Sequence, residues 1–421
     1  MPAGLPMPMR LSEENFLKNS SLINNLKIRA SYGELGSDDI PPFRYIEVFS
    51  FDEPFVDGGE VVKTLSSNGI PDGATTWEKS KTYNLGIELG LWNNLFSLET
   101  DMFYKRTSDI LTSPNLEVPG TFGGSLPLQN IGIVDNKGIE IVLSHRNNVN
   151  DWDYFANINF SYAKNEVIDI AEADDVNPLI RLTGKPIKAK TRIGYLASGL
   201  WLTQAEIDAA NANAQAQTGD PNAVYQTQNP KPGDIRYVDV NGDGVVNAED
   251  RTVIGRGNVP EITFGFNFGF NYRQWDFTTL FQGAANFEMY LSQEASWAFF
   301  NSGKVFGKHL DRAQIGADGN VFNTDATYPR LSLTNNAVNE RFSSYWLEKG
   351  DYIRLKNVEL GYTFKDDLVQ KIGLDRLRIY FNGRNLFTWS AIKQLDPENP
   401  QRRGWFYPQQ KVFSLGVNVE L

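Results

Sequence analysis

Ile262-Thr-Phe-Gly-Phe-Asn-Phe-Gly-Phe-Asn-Tyr272, followed after Arg273-Gln274 by Trp275-Asp-Phe-Thr-Thr-Leu-Phe281, is the stretch that decides the fold. Ile262, Phe264, Phe266, Phe268, Phe270 and Tyr272 share one face, and Thr263, Gly265, Asn267, Gly269 and Asn271 share the other. Successive side chains of a β-strand point to opposite sides, so strict period two over this length means a strand with one apolar and one polar face. A strand of about ten residues, tilted in a closed barrel, matches the apolar band of an outer membrane.

Working outward, the same alternation predicts ten strands near 26–34, 77–91, 95–106, 137–145, 152–162, 261–272, 275–285, 351–364, 376–388 and 411–421. Short gaps (Trp92-Asn93-Asn94, Arg146 to Asp151, Arg273-Gln274, Lys365 to Asp375) alternate with long ones (35–76, 107–136, 163–260, 286–350, 389–410). Tight turns at one end and long loops at the other are the habit of outer-membrane barrels. Trp92, Asn147, Arg273 and Asp367 are therefore expected at one end of the sheet, and Trp201, Asp243 and Trp297 at the other. Arg376, Arg378, Tyr380, Asn382 and Arg384 share a face that must be wet, which suits a water-filled lumen. A soluble sheet with one solvated face shows the same pattern within any single strand.

No run approaches 18 consecutive apolar residues, so the sequence carries no transmembrane helix; half-apolar barrel strands escape that test. Aromatics make up 13% and many stand at strand ends, where membrane-interface girdles place them. The formal charge of −11 argues against nucleic acid as a partner. Cysteine is absent, which fits an oxidising envelope compartment among others. The start, Met1-Pro-Ala-Gly-Leu-Pro-Met-Pro-Met-Arg10, lacks a charged region leading into an apolar one and does not read as an export signal.

One motif is specific. Asp239-Val-Asn241-Gly-Asp243-Gly244-Val245-Val-Asn247-Ala-Glu-Asp250 has the ligand spacing of an EF-hand loop, with Asp239, Asn241, Asp243, the Val245 carbonyl, Asn247 and Asp250 as oxygen donors around a glycine bend. A structural calcium ion is the expected occupant. The alternative is an Asn/Gly/Asp-rich turn closed by its own hydrogen bonds. Leu202-Thr203-Gln-Ala-Glu206-Ile207 is a capping box, expected to start a short helix that runs out in Asn211 to Thr218.

Catalytic constellations are missing, and no enzyme activity is expected. The two histidines, His145 and His309, stand far apart without a cysteine, and no Gly-x-Ser-x-Gly elbow occurs. In the long loops Trp201, Trp297, Trp389, Trp405 and Tyr407 are candidate substrate contacts, since sugar rings and peptide side chains pack on aromatic faces.

Several segments together resemble the C-terminal barrel region of SusC/RagA-like TonB-dependent outer-membrane transporters. They are Leu11 to Phe16 with Leu26-Lys-Ile-Arg-Ala-Ser-Tyr-Gly33, Thr76 to Lys81, and Asn130-Ile-Gly through Asn136-Lys-Gly-Ile-Glu140. Pro232-Gly-Asp to Gly244, Tyr352-Ile-Arg-Leu-Lys-Asn357, and Asn382 to Thr388 before Asp396-Pro-Glu complete the set. The resemblance implies an all-β fold: about ten antiparallel strands from the C-terminal part of a transmembrane β-barrel, with long extracellular loops. It further implies a place in the outer membrane of a Gram-negative bacterium and import of oligosaccharides or peptides. A SusD-like lipoprotein would close over the loops, and TonB would supply energy through a plug domain. Family barrels have about 22 strands, and Leu11 matches the middle of one, so residues 1–421 are expected to be a portion that lacks plug and N-terminal barrel. The closing strand departs from the family by ending in Leu421 rather than an aromatic. Two rival readings remain: a small ten-strand pore, and a secreted calcium-dependent carbohydrate-binding or adhesion protein built as a β-sandwich.

Overall fold

The computed structural model describes residues 3–40, 46–67, 70–114, 126–364, 369–399 and 401–421. Eleven strands follow one another as neighbours in a single sheet: β1 (Ala3–Arg10), β2 (Ile23–Ser37), β3 (Glu78–Leu91), β4 (Phe96–Thr112), β5 (Gln129–Val149), β6 (Trp152–Asp169), β7 (Ile262–Tyr272), β8 (Trp275–Ala285), β9 (Tyr352–Thr363), β10 (Arg376–Ser390) and β11 (Val412–Glu420). The ten expected strands are β2 to β11; β1 is additional, because its alternating prolines hid it. No helix among the described residues is long and apolar enough to cross a membrane. The chain divides into two compact units, one of Met1–Ile141 with 163–176 and 181–187, the other of Val142–Tyr162 with 177–180 and Lys188–Leu421.

In the first unit β2, β3 and β4 pair antiparallel, which lines up Leu26 with Leu89 and Leu98, and Tyr32 with Tyr83 and Tyr104. The three tyrosine rings form a row, with centroids 5.0 and 6.2 Å apart, along one edge of the apolar face. The opposite face is ionic. Arg29 reaches Glu88 at 3.0 Å and Asp101 at 3.0 Å, and Lys27 reaches Glu88 at 3.1 Å. Gly86 stands between Arg29 and Asp101, where a Cβ would come within 2.7 Å of the carboxylate. Glycine is needed there so that the ion pair can cross its strand. The gap between β2 and β3, expected as bare loop, also holds a hairpin of Phe49–Asp57 and Glu60–Ser67, turned on Gly58 and Gly59 at positive φ.

In the second unit β7 pairs with β6 and β8 in full register, so Phe264, Phe266, Phe268 and Phe270 share the apolar face as the alternation requires. Eleven residues at about 3.3 Å each, tilted by about 45°, rise about 25 Å, the height of a membrane apolar band. Near the tight turns this face carries an aromatic row, Trp152 stacked on Tyr272 at 4.2 Å and Trp275 against Tyr362 at 4.8 Å. On the polar face Arg378 bridges Asp276 (2.9 Å) and Glu359 (2.7 Å), over Gly361, where a Cβ would meet both partners. Arg273, in the β7–β8 turn, pairs with Asp151 in the β5–β6 turn at 2.8 Å, so these turns share an end. The antiparallel order puts the connections holding Trp201, Asp243 and Trp297 at the other end. Asp367 lies outside the described residues.

The long connections of this unit share a buried core. Ile235, Tyr237 and Val246 from the β6–β7 connection are buried with Tyr290, Tyr328, Val338 and Trp346 from the β8–β9 connection. The helix Gln204–Thr218 begins at the Thr203 N-cap, whose Oγ1 accepts from Glu206 N–H at 3.2 Å, while the Glu206 carboxylate reaches one residue further back than in a capping box and accepts from Leu202 N–H at 3.0 Å. It continues through Asn211 to Thr218 instead of ending there, and Gly219 in the left-handed region closes it.

Candidate functional site

Loop 239–250 is closed by its own hydrogen bonds. Asp239 accepts from the N–H groups of Gly242 and Gly244, both at 2.7 Å. Asp250, fully buried, accepts from Val240 (2.7 Å), Asn241 (3.2 Å) and Asn247 (2.8 Å). Asp243 accepts from Val245 N–H at 2.9 Å and from the Asn241 amide at 3.0 Å, and the Val245 bond foremost holds its carboxyl below the usual range. The Asn247 side chain caps the following turn by accepting from Glu249 N–H at 2.7 Å. The donors are all oxygens, as a hard cation requires. Among the described residues, however, no three acidic, histidine or cysteine side chains converge as a metal-holding group.

The aromatic candidates part company. Trp201 is 1% exposed, with the Arg236 guanidinium 4.7 Å from its ring and Tyr225 edge-on, so its ring is packed inside the connection. Trp297 lies half-buried against Trp346 in the same core. Trp389 pairs across to Ile353 and sits beside Phe387 on the apolar face, away from the polar face where cargo would pass. The expected strand ended at 388, whereas β10 runs on to Ser390 and its own alternation, Ile379, Phe381, Phe387 and Trp389, puts the ring on that face. Trp405 and Tyr407 remain, exposed in the β10–β11 connection. Arg403 caps the Trp405 ring at 3.5 Å while pairing with Glu294.

The polar face at this end carries a set that sequence reading passed over. Arg354 of β9, 2% exposed, donates to Asp396 (2.7 Å), Thr388 Oγ1 (3.0 Å) and Gln409 Oε1 (2.5 Å), and lies 3.2 Å from Glu398. Lys356, two residues on and on the same face, reaches Glu398 at 3.3 Å. The Tyr352–Asn357 and Asp396-Pro-Glu398 segments are thus the two halves of one clamp that ties the β10–β11 connection to the wall. Its signal was a pair of cations at i and i+2 on a strand, matched by two later carboxylates. A second hub explains Pro232-Gly-Asp234. Asp234 is wholly buried and accepts from Lys231 N–H (2.8 Å), the Asn336 and Asn339 amides (both 2.9 Å) and Arg330 (3.2 Å). Beside the Arg354 clamp opens a cleft of about 390 Å³, lined in part by Thr388, Lys393, Gln394, Leu395 and Phe406.

A sheet with one apolar and one ionic face, tight turns at one end and folded loops at the other, is the wall of an outer-membrane β-barrel. The chain belongs to the TonB-dependent receptor-like β-barrel family, whose model matches residues 12–386. It is similar to a TonB-dependent receptor of Formosa agariphila, 29% identical over 97% of this chain and 41% of that protein. It is also similar to the TonB-dependent receptor SusC of Bacteroides thetaiotaomicron, 24% identical over 99% of this chain and 39% of that one. The solved RagAB peptide transporter superposes with a TM-score of 0.69 at 21% identity, covering 99% of this chain and 43% of that chain. The chain spans about two fifths of the length of the curated relatives it matches. This family is housed in the outer membrane of Gram-negative bacteria, which disfavours the secreted sandwich.

Proposed function

We propose that this chain supplies barrel wall and extracellular loops to a TonB-dependent importer of oligosaccharides or peptides, with a SusD-like lipoprotein closing over the loops and TonB driving transport through a plug. What carries the reading is the pairing of a membrane-faced sheet with a packed loop domain at the loop end, in a chain similar to SusC along nearly its whole length. A rigid rim of that kind is what a closing lid needs to seat against. Deleting the gene in its host and following uptake of labelled oligosaccharides and of labelled peptides tests it; unchanged uptake of both refutes it. A tagged chain should also retain a lipoprotein through purification in mild detergent.

The 239–250 loop is proposed to take one calcium ion through Asp239, Asn241, Asp243, Asp250, the Val245 carbonyl and Asn247. The support is the complete ligand spacing, and the ion's role would be to stiffen the loop. Isothermal titration with calcium should lose its heat in Asp243→Ala; identical heats in both proteins would leave the metal-free turn.

A further inference from the structure

We propose that the cleft beside the Arg354 clamp binds a carboxylate-bearing sugar, a uronic acid unit of an acidic oligosaccharide. The inference rests on the importer reading above and narrows its cargo. Electrically the clamp is closed: Arg354 and Lys356 are matched by Asp396 and Glu398 at 2.7 to 3.3 Å, so these four charges cancel. Lys393, on the cleft wall and exposed, is left over, and among the described residues it has no ionic or hydrogen-bonding partner. An unmatched cation at the loop end of a chain of net charge −11 is a local reversal of sign, and it selects an anionic group.

The other groups select a sugar around that anion. Gln394 likewise has no partner among the described residues, so its amide is free to donate and accept. Thr388 Oγ1 accepts from Arg354, which leaves its O–H to donate into the cleft. Leu395 and half-buried Phe406 provide apolar surface against which a sugar ring packs. A volume of about 390 Å³ lies at the small end of ligand pockets and suits one or two sugar rings. Because the Arg354 hub holds Asp396 and Gln409 in place, the cleft is formed before ligand arrives and little ordering opposes binding.

Titration calorimetry on the detergent-purified transporter tests this with three probes: trigalacturonate, the neutral maltotriose, and triglutamate. Trigalacturonate should bind, with affinity that falls as salt rises. Lys393→Gln, a surface change that leaves the fold alone, should weaken it about tenfold while leaving any maltotriose affinity unchanged. Phe406→Ala should weaken trigalacturonate as well. Equal trigalacturonate affinity in wild type and Lys393→Gln overturns the proposal. So does maltotriose binding without trigalacturonate binding, although the oligosaccharide importer then stands. Triglutamate binding with neither saccharide bound overturns it too, and turns the cargo to peptides.

Discussion

Removing the Arg354 guanidinium strands a carboxylate with nowhere to go. Asp396 is 9% exposed and its ion-pair partner is Arg354, whereas Glu398 keeps Lys356 at 3.3 Å. Breaking one side of a buried pair typically costs about 3–5 kcal/mol, because the surviving charge stays desolvated and unpaired. Arg354→Ala also frees Thr388 Oγ1 and Gln409 Oε1, which tie the loop to β10 and to its own exit. The cost falls on one state, the β10–β11 connection docked against the wall. The loop is therefore expected to open locally while the strands stay paired.

Arg402 and Arg403 sit in that connection, so trypsin reads its opening. Cleavage there tracks the open population when reclosing is fast, and 3 kcal/mol corresponds to a factor on the order of 100 in rate. Wild-type and Arg354→Ala protein in detergent, digested briefly and resolved by mass spectrometry, give the comparison. Arg354→Met with Asp396→Leu should recover much of the protection, because both charges leave together. Rates within twofold in Arg354→Ala would refute the reasoning, since the clamp would then carry no docking energy.

Asp234→Ala should loosen the loop domain by a similar 3–5 kcal/mol, seen as quenchable fluorescence from the buried Trp201 and Trp346; an unchanged Stern–Volmer slope would count against the hub. His309 accepts from Phe306 N–H on Nδ1 (2.9 Å) and donates from Nε2 to the Ser296 carbonyl (2.9 Å), so it is held neutral, and burial lowers its pKa below 6.5. Burial also lowers Lys308 to about 8 from 10.5. Both folded values lie below the unfolded ones, so the unfolded loop holds more protons and stability rises with pH: from the acid side up to 6.5 for His309, and from about 8 to 10.5 for Lys308. Near-UV circular dichroism melts should show both limbs, with His309→Gln flattening the first and Lys308→Met the second. Thr203→Ala should cost the Gln204–Thr218 helix about 1 kcal/mol by removing its N-cap, measurable as faster amide exchange in its first turn.

Period two made the wall legible. It needs only each residue's own polarity, and β7 shows it without interruption because both of its faces are used. What it cannot carry is who meets whom across strands. Arg29, Glu88 and Asp101 are all polar and all on one face in sequence, but the bridge depends on Gly86 being small enough to pass beneath it, and that follows only from register. Gly361 between Asp276 and Arg378 repeats the arrangement in the other unit. At these two positions a glycine on the polar face lets charges from the two flanking strands join.

The loops were legible in their local chemistry and opaque in their packing. The Thr203 N-cap and the Asp239–Asp250 turn depend on neighbours a few residues away, and both close by local hydrogen bonds. Trp201 and Trp389 read as ligand contacts because a tryptophan in a long loop has no periodicity to say what covers it. Trp201 is covered by Tyr225 edge-on and by the Arg236 guanidinium, and Tyr225 packs in turn on the core of Ile235, Tyr237 and Val246 with Tyr290, Tyr328 and Trp346. Trp389 belongs to the wall, because β10 continues to Ser390 and its alternation carries the ring onto the apolar face. For Trp201 a contact with residues more than twenty positions away decides the packing; for Trp389 it is where the strand ends. Trp405 and Tyr407 of the β10–β11 connection stay exposed after the loops have packed, and Lys393 stays exposed on the cleft wall.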